Sequence, residues 1–496
     1  MFRPAGMTAA CIAVLTTLGA HAVESDPALI EALRVGNAGA VIELLEGGAD
    51  VNATQADGTS ALHWGVRSAN GGVIAALLAA GADPNAANRY GMTAMHLAAI
   101  NGDANALRAL LDAGADVNAT LPEGESVLLT ATRTGAPEAL RVLLEHGADP
   151  DASENWHGES ALIWASAENH AAAVSVLIEY GADPNVRSAA HAWENRRLSQ
   201  MVLPLGEWTP IFYAARENAM AAARALLDAG ADPNLTDPDG ATALVIAIVN
   251  AHYEMAQLLL DAGADPNIVD EGGMGPLYAA VDMHRLAVGH GRPNPLPSGL
   301  LDAADIVRQL LEHGADPNAP LSRPTLQRQH TFGDFTLGEG ATALLRAAKS
   351  GDIEIVSDLL AAGADIQHTM PNGANALMYA AGLGWRNGSP LAPSYDQGPA
   401  SEAVETIRTL IGHGLDLDAQ DEAGNTALHA AVTGRSSEII IRYLIGEAGA
   451  DSAIRNAQGH TALGAAQARR SGGEAVVALL HELGLSDDAE PIEPTP

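Results

Sequence analysis

Cysteine is almost absent from this chain of 496 residues; the single one is Cys11. Disulfides, thiol nucleophiles and thiolate metal sites are therefore excluded from everything that follows it. Lysine is equally scarce, with Lys349 alone, so positive charge rests on arginine. Positive charge is itself short: the formal net charge is −35. A surface so acidic repels nucleic acid and anionic lipid, and those partners are not expected. Aromatic residues make up 4% against 47% hydrophobic residues overall. That balance rules out a thick core of large rings and suits closely stacked helices rich in alanine, leucine and glycine. After the N-terminus no apolar run is long enough to cross a bilayer, so no membrane insertion is expected.

The N-terminus reads MFRPAGMTAACIAVLTTLGAHA over residues 1–22. Arg3 supplies a positive start, Ala9 to Ala20 an apolar stretch, and Ala20-His21-Ala22 a small-residue cleavage site. This is the layout of a secretory signal peptide. A periplasmic or secreted product is expected, and Cys11 would leave with the leader.

By length alone the chain would hold roughly three globular domains. Its internal period overrides that prior. Gly-Ala-Asp recurs with glycines at 48, 81, 114, 147, 181, 230, 263, 314, 363 and 449, and Gly414-Leu415-Asp416 fills the one gap. The commonest spacing is 33 residues, the signature of a stacked repeat array. Each unit opens alike, as in Gly58-Thr59-Ser60-Ala61-Leu62-His63, Gly91-Met92-Thr93-Ala94-Met95-His96 and Gly424-Asn425-Thr426-Ala427-Leu428-His429. The serine or threonine stands where its side-chain oxygen caps a helix. Alanine pairs such as Ala98-Ala99 and Ala347-Ala348 let neighbouring helices approach. A leucine pair such as Leu110-Leu111 or Leu259-Leu260 closes a second helix, and the following glycine stops it.

These motifs, G-x-T-A-L-H-x-A-A followed by L-L-x-x-G-A-D-x-N, resemble the ankyrin repeat in twelve copies over residues 24 to about 485. The chain is similar in general to exported bacterial ankyrin-repeat proteins. The resemblance implies an all-α repeat solenoid, with an antiparallel helix pair per unit and a hairpin-like finger projecting between units. Physics agrees, because one helix pair leaves its leucines exposed on two sides. Each buried leucine contributes only about 1.5–3 kcal/mol, while ordering a residue costs roughly 1–2 kcal/mol of backbone entropy. Stacking buries both sides, and twelve units at about 8–10 Å per step give a rod on the order of 100 Å. The expected organisation is a signal peptide over 1–22, the array over 23–485, and a disordered acidic, proline-containing tail over 486–496.

Four spacings break the period. Extra residues near 187–206 and 320–338 lengthen fingers, while those near 285–302 and 384–401 lengthen the turn between the two helices of a unit; all four are expected as loops. The inserts hold eight arginines against four acids, so they are net +4 where the rest is −39. They also carry Trp193, Trp385, Tyr395, Phe332 and Phe335. Arginine beside aromatics is the composition of binding hot spots, which makes Trp193, Arg196, Arg197, Trp385, Arg386 and Tyr395 candidate partner contacts. Folding back onto the acidic array is the other reading of the same composition.

In ankyrin-like arrays the finger tips and the two residues after the alanine pair line the concave face. That correspondence adds Arg67, Tyr90, Met92, Ile100, Arg133, Trp156, His157, Trp208, Arg216, Met274, Asp282, Met283 and Lys349 as positions where exposed bulk would call for a partner. Trp156 and Trp208 have a second reading, packing on a neighbouring finger.

No catalytic residue set emerges. There is no G-x-S-x-G elbow, no H-E-x-x-H, no phosphate loop and no dinucleotide fingerprint. His63, His96 and His429 sit at the repeat's structural histidine, and His284 with His290 makes a poor metal pair. The expectation is a monomeric, non-enzymatic protein-binding scaffold, accessory or inhibitor without cofactor or metal. The alternative is a small-ligand-binding or hydrolytic protein with a pocket between the inserts of repeats 8 and 10.

Overall fold

The computed structural model describes residues 27–191, 197–198, 201–202, 205–285, 295–323, 337–384, 399–469 and 473–486, with only the backbone at 27, 197–198 and 201–202. The chain divides into two compact units, Met1–Pro122 and Glu123–Pro496.

In the first unit three helix pairs follow one another: α1 (Pro27–Arg34) with α2 (Ala38–Glu46), α3 (Ala61–Arg67) with α4 (Gly71–Ala79), and α5 (Ala94–Ile100) with α6 (Ala104–Asp112). First helices pack on first helices (α1 on α3, α3 on α5) and second on second (α2 on α4, α4 on α6). The caps anticipated from sequence are present. The Ser60 side chain accepts from the His63 N–H at 3.4 Å, and the Ser60 N–H donates to His63 Nδ1 at 3.2 Å. With Nδ1 accepting, the proton sits on Nε2, which donates to the Met92 carbonyl of the next finger at 2.8 Å. One side chain therefore caps its own helix and fastens the neighbouring repeat.

The Gly-Ala-Asp segment does a second job. Asp83 Oδ1 accepts from the Asn85 N–H at 2.9 Å, holding the finger in a turn. Asn85 then bridges to the next repeat, donating to the Gly114 carbonyl at 3.0 Å and accepting from the Asp116 N–H at 2.8 Å. Gly81 lies just after α4 at φ +89°, a left-handed conformation that stops the helix at little cost only for glycine. Gly58 is held for a second reason, since a Cβ there would lie 3.1 Å from the Asn88 backbone of the adjacent finger.

The second unit holds nine further pairs among the described residues: α7 (Val127–Thr132) with α8 (Pro137–Glu145), α9 (Ala161–Ala167) with α10 (Ala171–Glu179), α11 (Pro210–Glu217) with α12 (Met220–Asp228), α13 (Ala243–Val249) with α14 (Tyr253–Asp261), and α15 (Pro276–His284) with α16 (Ala303–Glu312). Then come α17 (Ala343–Ser350) with α18 (Ile353–Ala361), α19 (Ala376–Ala381) with α20 (Ala400–Gly412), α21 (Ala427–Thr433) with α22 (Glu438–Arg442), and α23 (Ala462–Gln467) with α24 (Glu474–Glu482). First helices again stack in succession from α7 to α23. The same asparagine bridge recurs at Asn234, Asn267 and Asn318.

The longest gaps between successive helices fall before α11 and α17 and inside the α15–α16 and α19–α20 pairs. The first of them, expected as a loop, holds a strand pair. Strands β1 (Arg197–Leu198) and β2 (Met201–Val202) pair antiparallel within the 187–206 insert, prolonging the finger's hairpin. A smaller irregularity is absorbed differently. Gly424 and Gly449 are 25 residues apart where 23 is standard, and a π-helical turn over Tyr443–Ala448 takes up the surplus inside the second helix.

Candidate functional site

Two positions on each first helix, four and seven residues after the cap, point to one face because the helix repeats every 3.6 residues. In the first unit they are Trp64 and Arg67, with the guanidinium 5.0 Å from the indole centroid. Nearby, Tyr90 is 57% exposed on its finger with Arg89 lying 4.7 Å over the ring, and Ile100 is exposed too. Met92 is half-buried and gives its carbonyl to His63.

In the second unit the same two rows form one network across α7, α9 and α11. Arg133 lies 4.3 Å over Trp164, and its Nη2 is 3.5 Å from Glu125. The Trp164 indole N–H donates to Glu159 Oε2 at 2.9 Å. Glu159 also meets the hydroxyl of Tyr213, whose ionisation is pushed far up, first by burial and then by that carboxylate. Arg216 covers both Tyr213, at 5.1 Å, and Trp208, at 5.5 Å. Trp164 and Tyr213 were not singled out from the sequence. The signal was available, because both stand four residues after their caps, as Trp64 does.

Above this network rises the finger carrying Trp156 and His157. Glu154 builds it, accepting the N–H groups of Trp156 at 2.5 Å, His157 at 2.8 Å and Glu159 at 3.0 Å. Trp156 is 76% exposed, with one face stacked on His157 at 5.3 Å. His157 in turn meets His191 edge-on, with Nδ1 3.2 Å from Nε2.

Farther along, the rows become a buried charge cluster. Arg346 is 1% exposed; its Nε donates to Asp282 Oδ1 at 2.6 Å and its Nη2 to the Arg285 carbonyl at 3.0 Å. Asp352, also 1% exposed, caps α18 and pairs with His284 Nδ1 at 2.5 Å. Arg285 lies between Asp352 and Glu402 and donates to the latter. The cluster ties the end of α15 to α17, α18 and α20.

His284 feels opposing influences. Burial disfavours its charged form, but the hydrogen bond and charge of Asp352 outweigh burial and raise its pKa above the ordinary 6.5. A raised value means stabilisation fully present below 6.5 and lost as pH rises through the folded value. His284→Gln should therefore show its largest Tm deficit near pH 5 and a shrinking one by about pH 8. A pH-independent deficit would contradict the pairing. The repeat histidines have the opposite sign: burial lowers His63 and His429, so their contribution is complete above 6.5 and fades as pH falls through the lowered values.

Several sequence expectations are corrected here. Trp208, Met274 and Asp282, read as exposed contacts, are buried at 7%, 3% and 8%, as is Met283. Trp208 is strapped down by the returning finger, its N–H and carbonyl bonded to Ser188, and it stacks on Phe212 at 5.7 Å. Met274 is held in its finger by the Asp270 carboxylate, and Asp282 is sequestered by Arg346. Lys349 is likewise 2% exposed. Trp193, Arg196, Trp385, Arg386 and Tyr395 lie outside the described residues, as does the side chain of Arg197. The described insert arginines bond within the chain, Arg187 and Arg323 at exposed positions. Arg187 donates to the Glu207 and Thr236 carbonyls, Arg285 to Glu402, and Arg323 to Glu271.

The ligand pocket considered between the inserts of repeats 8 and 10 would be walled by 286–294 and 385–398, also outside the described residues. A hollow of about 20 Å³ beside Asn267, Tyr278 and Asp316 has room for one water. Among the described residues no three histidines, cysteines or carboxylates converge as for a metal, and no helix is long and apolar enough to cross a membrane.

Comparison with known proteins agrees with the architecture. The family model described as ankyrin repeats (3 copies) matches residues 29–121, 95–188, 194–288, 300–387 and 400–489. The mouse (Mus musculus) B-cell lymphoma 3 protein homolog is 32% identical over 249 residues, 47% of this chain and 50% of that protein, so the chain spans about half the length of the curated relative it matches. Among solved structures, the ankyrin repeat domain of Bcl-3, described as a unique member of the IkappaB protein family, is 30% identical over 45% of this chain and 94% of its own, with a TM-score of 0.38. The human ASB11 ankyrin repeat domain is 25% identical over 48% of this chain and 98% of its own, with a TM-score of 0.40. With family matches running through both units and the repeat's caps, fingers and bridges in place, the chain belongs to the ankyrin-repeat family.

Proposed function

We propose that this ankyrin-repeat chain is a non-enzymatic scaffold, accessory or inhibitor that recognises another protein, and that it works in the periplasm or outside the cell after residues 1–22 are removed. Recognition takes place on the face formed by α7, α9, α11 and their fingers. The observation that carries this reading is Trp156, a large ring left 76% exposed at a finger tip in a chain with 4% aromatics. Exposed bulk of this kind marks interaction surfaces, and tryptophan and arginine dominate binding hot spots. Beside Trp156 stand a stacked Trp164–Arg133 pair and a covered Tyr213–Arg216 pair, already held in place and so ordered at little entropic cost on binding. Arg187, Arg285 and Arg323 of the inserts already bond to groups of this chain, which favours this face.

A photo-cross-linking residue placed at position 156, or at exposed Ser175 on the second helix α10, tests the reading in the exported fraction. A discrete protein adduct from 156 and none from 175 is expected. Adducts from 175 alone would place recognition on the opposite side and end the proposal for this face.

A further inference from the structure

The chain shows a recurrent arrangement in which an aromatic ring takes an arginine over one face. Arg67 covers Trp64, Arg89 covers Tyr90, Arg133 covers Trp164, Arg216 covers Tyr213 and Arg408 covers Tyr443, all with the guanidinium carbon 4.3–5.1 Å from the ring centroid. Trp156 is placed differently. One face stacks on His157, and among the described residues no arginine lies over the other. The ring is nevertheless 76% exposed, on a finger where Glu154 accepts the backbone N–H groups of both Trp156 and His157. Indole is the aromatic face with the strongest attraction for a cation.

The surroundings give the sign of what is missing. Glu123 is exposed on the adjoining finger, whose backbone bonds directly to Asn155. Glu125 meets Arg133 and the Thr130 hydroxyl, Glu159 meets Trp164 and Tyr213, and the whole chain carries −35. An indole face left this open, on a chain of this net charge, is a receptor for a cation supplied from outside. We infer that Trp156 receives an arginine of the partner protein, within a basic segment that lies along the α7–α9–α11 face. This rests on the proposed scaffold reading and adds the partner's chemistry. The chain would then repeat in trans the arginine–aromatic stack it makes in cis.

The test uses the full chain and three ten-residue peptides: alternating arginine and glycine, the same with citrulline for arginine, and alternating glutamate and glycine. Fluorescence anisotropy near physiological salt reads their affinities for the native protein and for Trp156→Ala and Trp156→Phe. Binding of the arginine peptide is expected to weaken about three- to tenfold in Trp156→Ala, with Trp156→Phe between. The citrulline peptide, of the same shape but uncharged, is expected to bind more weakly than the arginine peptide and to be indifferent to the substitution. Equal arginine-peptide affinity for native protein and Trp156→Ala would overturn the inference, as would a citrulline peptide that binds as well. If the photo-adduct at 156 forms but the peptides show no such dependence, the scaffold reading stands and only the basic partner falls. Because Trp156 is exposed, its loss leaves the fold intact, and an unchanged Tm in both variants verifies that.

Discussion

Replacing Arg346 by alanine is expected to destabilise the second unit by about 3–5 kcal/mol, the range for breaking a buried ion pair by removing one partner. Arg346 is 1% exposed and holds Asp282, itself 8% exposed, at 2.6 Å. Without the guanidinium, Asp282 is left as a buried carboxylate lacking its counter-charge, and the Arg285 carbonyl loses a donor. The loss is therefore larger than the net contribution of the pair. That asymmetry supplies the control: Arg346→Met combined with Asp282→Leu replaces both charges with apolar groups of similar bulk, and it should recover most of the deficit. Denaturant midpoints at constant m-value read both effects. A single-mutant loss below about 1 kcal/mol would mean that water already reaches the cluster.

Leu259→Ala is expected to cost about 2–5 kcal/mol. The side chain is fully buried in α14, in the leucine pair that closes the second helix of its repeat. The register sets Leu226 and Leu310 at comparable points of the flanking second helices, both fully buried as well. In a stacked array each repeat draws its stability from its immediate neighbours, so the damage should be local. Hydrogen exchange should accelerate across α12, α13, α14 and α16 while α23 keeps its protection. Uniform acceleration through the unit would show that its repeats unfold as one block. No change at all would show that the register is wrong.

Most of the architecture was legible because one period writes it repeatedly. The cap at Ser60, the structural role of His63 and the finger asparagines all depend on contacts within a repeat or between neighbours 29–31 residues apart, and the 33-residue period fixes such contacts. What escaped depended on side chains brought together across inserts. Asp282 meets Arg346 at a sequence separation of 64, which the regular period does not encode. Trp208 follows a lengthened finger that doubles back, so Ser188 reaches it and the exposure expected from the register is lost. Trp164 and Tyr213 were overlooked for a different reason. The positions after the alanine pair were read as the binding row, whereas the residue one turn earlier shares that face. The network of Arg133, Trp164, Glu159, Tyr213 and Arg216 needs both rows.

The central claim is that this chain recognises a protein through the fingers and first helices around Trp156. Hydrogen exchange of the native chain, alone and in complex with the partner trapped from position 156, tests it most directly. The account predicts added protection at residues 154–159 and along α9 and α11, with second helices α8, α10 and α12 unchanged. Protection confined to those second helices, with the Trp156 finger exchanging as in the free chain, would contradict it.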